Sequence, residues 1–106
     1  MVNNNSLLEE VTPLEFYLSQ NYPNPFKDKT TIKYCVSYRT HVDLIVLDAE
    51  GNEIEKLVDE EKNAGTYEVE FSKSHSREGG NPEGGSYYYR LEAGEFKEEK
   101  EMFLEK

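Results

Sequence analysis

Tryptophan is absent from this sequence of 106 residues, cysteine occurs once and histidine twice. A single cysteine excludes an intrachain disulfide, so the fold must be held by its own core. Cys35 stands between Tyr34 and Val36 in a strand-like run, the setting of a small packed hydrophobe rather than of an activated thiol. His41 falls at a strand entry and His75 in a glycine-rich stretch, so the pair signals neither a metal site nor a catalytic dyad. No apolar run approaches the ~20 residues that cross a bilayer as a helix. The opening Met1-Val2-Asn3-Asn4-Asn5-Ser6 has neither the basic nor the apolar region of a secretory signal. The expectation is that the chain as written does not enter the general export route by itself.

Positive charge is also scarce. Twelve Lys and Arg face 22 Asp and Glu, for a formal net charge of −10, and the basic residues are scattered among acids. The electrostatic footprint of a nucleic-acid binder is missing. The stretch "EGGNPEGG", residues 78–85, opens no helix and has no Lys-Ser or Lys-Thr after it, so it cannot cradle phosphate. No serine stands in an elbow pattern, and no alternating Asp/Asn loop suggests calcium. These absences nominate no catalytic, cofactor-binding or metal-binding residue. The expectation is a non-enzyme with no cofactor, no nucleic-acid partner and no small-molecule substrate.

What is present is period-two alternation of apolar residues, the mark of half-buried strands. Residues 1–13 are polar, Asn-rich and end in Thr12-Pro13, a flexible leader or linker. The domain spans 14–106. Leu14, Phe16 and Leu18 predict a first strand, and Ile32, Tyr34 and Val36 a second. Val42 to Leu47 is apolar on both faces and predicts a central strand covered on both sides. Asp48-Ala49-Glu50-Gly51 then suits a hairpin turn with a left-handed glycine. Ile54 and Leu57 suggest a short return strand, and Asp59 to Ala64 a charged turn closed by Gly65, whose freedom at positive φ fits a tight entry. Thr66 to Phe71 alternates cleanly. Residues 72–85 carry four glycines, a proline and nothing to bury, an inserted flexible loop. Ser86–Leu91 and Phe96–Leu104, around Ala93-Gly94-Glu95, form a last hairpin.

About seven short antiparallel strands without helical periodicity describe an all-β, immunoglobulin-like or fibronectin-like β-sandwich. Its expected core is Leu18, Ile32, Tyr34, Val42, Leu44, Val46, Tyr67, Val69, Phe71, Tyr87, Tyr89 and Leu91, with Phe96 and Met102 also facing inward. The stretch Asn21-Tyr22-Pro23-Asn24-Pro25-Phe26 stands apart. Each proline fixes its φ, biases its predecessor toward extended geometry and removes a donor. It reads as a rigid clamp, with Tyr22 and Phe26 packing across the end of the sandwich and the Asn side chains tying down the turn.

Leu18-Ser19-Gln20-Asn21-Tyr22-Pro23-Asn24-Pro25-Phe26, followed by Thr30-Thr31-Ile32-Lys33-Tyr34, resembles the opening of the C-terminal sorting domain of type IX secretion substrates. The likeness continues through Val42–Asp48, Gly51, Ala64-Gly65-Thr66-Tyr67, Ser86–Leu91 and Lys100-Glu101-Met102-Phe103-Leu104. A related immunoglobulin-like domain occurs in flagellar hook-capping proteins, so the alternative is a structural protein-protein interaction module. The sorting resemblance implies a signal that directs a larger cargo through the type IX system to the cell surface. It also implies outer-membrane translocon components and surface lipopolysaccharide as partners, and a secreted or surface location. This chain departs from the family pattern at Lys27-Asp28 and at Glu101, where a second basic residue is common. The last strand is the expected site of recognition, with Lys100, Met102, Phe103 and Leu104 as the residues read and its open edge available for strand addition.

Overall fold

The structure, a computed structural model, describes residues 13–72 and 85–105. Seven strands follow one another: β1 (Tyr17–Leu18), β2 (Lys29–Val36), β3 (Thr40–Leu47), β4 (Glu53–Lys62), β5 (Gly65–Ser72), β6 (Gly85–Ala93) and β7 (Phe96–Leu104). They form a three-stranded sheet in the order β1-β2-β5 and a four-stranded sheet in the order β4-β3-β6-β7. Every pairing is antiparallel. The chain is an all-β sandwich, as its alternation predicts.

β3 is the central strand because its apolar run leaves no face that tolerates water. Val42, Leu44 and Val46 are fully buried between the sheets. Ile45 and Leu47 face the other way and are still buried, although a two-layer fold has no third layer to cover them. Ile45 lies opposite Arg90 on one side and Lys56 on the other, and Leu47 opposite Tyr88. The stems of long polar side chains do the covering.

One hydrophobic cluster joins both sheets and includes Leu18, Ile32, Tyr34, Phe71, Tyr87, Tyr89 and Leu91. Tyr67 and Val69 reach it only half-buried, because β5 borders its sheet and pairs with β2 alone. Phe26, Val36, Val58, Ala93, Met102 and Leu104 complete the core. Burial pushes the Tyr34 hydroxyl up to about 12, since a phenolate among apolar groups loses its hydration.

Three expectations need correction. β4 runs to Lys62, so Asp59–Lys62 is strand and only Asn63-Ala64 turns. An edge strand bonded through its backbone to β3 needs few apolar side chains, and Asp59, Glu60 and Glu61 stand in water. Gly65 takes the positive φ expected of it, +159°, but as the first residue of β5, paired with Val36, and not as the close of a turn. Leu14 is exposed and the first strand is only Tyr17–Leu18. Phe16 instead packs edge-on to Tyr38 at 4.9 Å and stacks on Phe96 at 5.6 Å. The inserted-loop expectation falls almost wholly outside the described residues, with Ser72 ending β5 and Gly85 opening β6. The leader expectation, except for Pro13, falls outside them too.

The β3–β4 turn is built as the sequence suggests. Asp48 accepts the Glu50 and Asn52 amides at 2.9 and 2.8 Å, and Gly51 takes φ +89°. These bonds, the Asn52 amide foremost, hold the Asp48 carboxyl below its usual range.

Candidate functional site

Residues Ser19 to Phe26 leave the small sheet, cross the gap and end on the large one. Ser19 still pairs as a strand would, its amide donating to Lys33 O at 2.9 Å while its hydroxyl accepts the Lys33 amide at 3.0 Å. Tyr22 exchanges two 2.9 Å backbone bonds with Thr31 on β2. Four residues later Phe26 forms a parallel bridge with Leu104 on β7. The prolines fall between these anchors, where a missing donor costs nothing, and both Tyr22–Pro23 and Asn24–Pro25 are cis.

The turn is locked from within by Asn21, one of two buried polar residues among those described, the other being Thr30. Asn21 Oδ1 accepts Gln20 Nε2 at 2.8 Å. Its Nδ2 donates to Pro23 O at 3.1 Å and to Thr30 Oγ1 at 3.0 Å, and Thr30 Oγ1 donates to Pro23 O at 2.8 Å. Buried polar groups are tolerated when every bond is made, and here the network makes the turn rigid. Beneath it, the Tyr89 hydroxyl donates to Ser19 O at 2.6 Å, and burial drives its pKa upward. Phe26 is fully buried, its ring edge-on to Phe71 at 6.0 Å.

Tyr22 does not pack across the end of the sandwich with Phe26. Its pairing with Thr31 turns the ring outward, leaving it 79% exposed. With Tyr17, Gln20, Lys33 and Glu68 it borders an open groove of about 640 Å³.

The far end of the same segment meets the last strand. Gln20 Nε2 donates to Glu101 O at 2.7 Å, and the Phe103 amide donates to Asn24 Oδ1 at 2.9 Å. Phe26 N donates to Phe103 O at 2.9 Å, and Glu105 N to Phe26 O at 2.8 Å. The expected open edge of β7 is therefore occupied between Glu101 and Glu105. Of the residues expected to be read there, Met102 and Leu104 are buried in the core. Lys100 is mostly covered and pairs with Glu98 at 3.2 Å. Phe103 stands out, 46% exposed. Asp48 and Gly51 lie in the β3–β4 turn and Gly65 opens β5, all away from this junction. Sequence reasoning placed the Asn residues in the turn but missed Gln20, Thr30 and the bond from Phe103 to Asn24. Rigid polar residues beside prolines are a signal for such locks, but nothing local names a partner some eighty residues away.

A second group arises on the outer face of β3 and β4. Asp43 lies directly opposite Asp59, and His41 joins them, with one potential ligand atom from each lying within 4.8 Å of the others. His41 Nε2 is 2.8 Å from Asp59 Oδ1 and 3.5 Å from Asp43 Oδ1, and Lys56 Nζ is 3.6 Å from Asp59 Oδ2. An imidazole and two carboxylates form a donor set that a divalent cation could use, but Lys56, and His41 when protonated, offset the like charges. The bond to Asp59 raises the His41 pKa and lowers that of Asp59. The set was not legible because the sequence pattern put Asp59 in a turn.

The profile of the family described as "Secretion system C-terminal sorting domain" matches residues 20–105. The crystal structure of dimeric latent PorU from Porphyromonas gingivalis contains a similar fold, with a TM-score of 0.64 and 16% identity over 90% of this chain and 10% of that one. This chain thus spans about a tenth of that protein's length. A search of curated proteins gives no match.

Proposed function

This chain belongs to the family of secretion system C-terminal sorting domains, and we propose that its recognised element is the junction between Gln20–Phe26 and the end of β7. Its function is that of the family, to direct a cargo through the type IX secretion system. Sorting tails are in general not catalysts, and the machinery that exports their cargo recognises them. The finer reading is that residues 14–106 form the sorting unit, with 1–13 a linker from the cargo and 72–85 an insertion. The domain itself carries out no chemistry. Outer-membrane translocon components bind it, surface lipopolysaccharide receives the cargo, and the exported chain ends at the cell surface. Of the nominated set, Phe103 is the member that a partner can touch, Lys100 is mostly covered beside Glu98, and Met102 and Leu104 hold the strand in place.

The observation that carries this reading is the span of the family match, which begins at Gln20 and ends at Glu105, residues that open and close the bonded junction, Gln20 on Glu101 O and Glu105 on Phe26 O. The test is a reporter with a signal peptide fused ahead of Leu14 in a host with type IX secretion. Delivery to the outside that depends on the domain is expected, and periplasmic retention of a fusion whose domain is folded would overturn the reading.

A further inference from the structure

Alternate residues at the end of β7 have different surroundings. Met102 and Leu104 are buried, while Phe103 between them presents a large apolar side chain to solvent. Phe103 also has both backbone groups bonded to the entry segment, its N–H to Asn24 Oδ1 and its C=O to Phe26 N, each at 2.9 Å. Gln20 and Phe26 take the flanking Glu101 O and Glu105 N. From Glu101 to Glu105, these four bonds make the entry segment a substitute for a neighbouring strand, and a partner strand finds those groups already used. Three of the four contacts come from backbone groups or from Gln20, which is itself tied to Asn21. The fourth is the Asn24 side chain, standing where the carbonyl of a true strand would stand.

We propose, resting on the sorting function above, that Asn24 is a positioning residue for recognition. It fixes the backbone at Phe103 and closes the edge of β7, so that the secretion receptor takes the Phe103 ring into an apolar pocket instead of adding a strand. An exposed aromatic on a rigid backbone is well suited to such an anchor, because little freedom remains to be lost on binding.

Asn24 and Phe103 are both exposed, so substitutions there leave the core intact. The test compares Phe103→Ala, Asn24→Ala and Asn24→Asp, the last keeping the acceptor oxygen. Reporter export is measured alongside hydrogen exchange at the Phe103 amide of the free chain. Phe103→Ala is expected to melt with the parent and to lower export about tenfold, the loss typical of one aromatic anchor. Asn24→Ala should speed exchange at Phe103 and lower export, and Asn24→Asp should restore both. Normal export of Phe103→Ala overturns the proposal, as does unchanged exchange in Asn24→Ala. Export that rises in Asn24→Ala overturns it too, because an opened edge would then be the preferred site for strand addition. Retention of the parent fusion defeats the sorting function instead, while the exchange comparison still decides what Asn24 does.

Discussion

The two edges of the four-stranded sheet solve the same problem in opposite ways. β4 closes one side with ten residues of which Val58 alone is buried, and Glu53, Asp59, Glu60 and Glu61 face water. Charge and the register shifts opposite Leu44–Leu47 discourage a stray strand from pairing there. β7 closes the other side with Met102 and Leu104 buried and a segment of the same chain laid along its end. An acidic, irregular edge can be left bare. An edge whose alternate side chains form the core is better covered, and this chain uses its most rigid stretch for the purpose.

If that contrast is sound, truncation under the cover must cost far more than truncation at the bare edge. Phe26→Ala should lose about 3–5 kcal/mol of stability, and Val58→Ala about 1 kcal/mol, as measured by urea unfolding. Equal losses would break the comparison. Asn21→Ala sharpens it at an intermediate scale. Removing the side chain takes away one of the two donors to Pro23 O and the donor to Thr30 Oγ1, for about 1–3 kcal/mol, and amide exchange should rise at Tyr22 and Phe26 while β4 is unaffected.

The smallest effect belongs to the bare edge. The folded-state pKa of His41 is raised, chiefly by Asp59, so its contribution is complete below the unfolded value near 6.5 and fades as pH rises through the folded one. Asp59 is lowered by the same bond, and its contribution fades as pH falls through its depressed value. The melting temperature should therefore decline slightly as pH rises past about 6.5, and His41→Gln should remove that slope. A slope that persists would assign the titration to another group.

β3 and β6 were legible because Val42–Leu47 and Tyr87–Leu91 carry their burial in the sequence itself. β4 was half legible. Its first residues show Ile54 and Leu57, but Asp59–Lys62 joins the sheet through backbone bonds to a neighbour, and charged side chains leave no periodic trace of that. The Gln20–Phe26 segment was legible as rigid and as turn-forming, since proline and asparagine have fixed local habits. Its destination was not, because the face of Tyr22 and the acceptor role of Asn24 depend on where β2 and β7 lie, and no local rule contains that. The same limit made the end of β7 look like a free edge.

The bonds that fasten the entry segment to the last strand join residues 77 to 81 positions apart. During synthesis, the first residues of the fold to leave the ribosome must wait for the last before they can be secured. Phe26 has no Leu104 to pair with, and Asn24 has no amide to accept, until the chain through Glu105 has emerged. Contacts of such long range are the slow part of folding. The sandwich is thus closed only once Glu105 has left the ribosome, and its covered edge reports that synthesis has passed that residue.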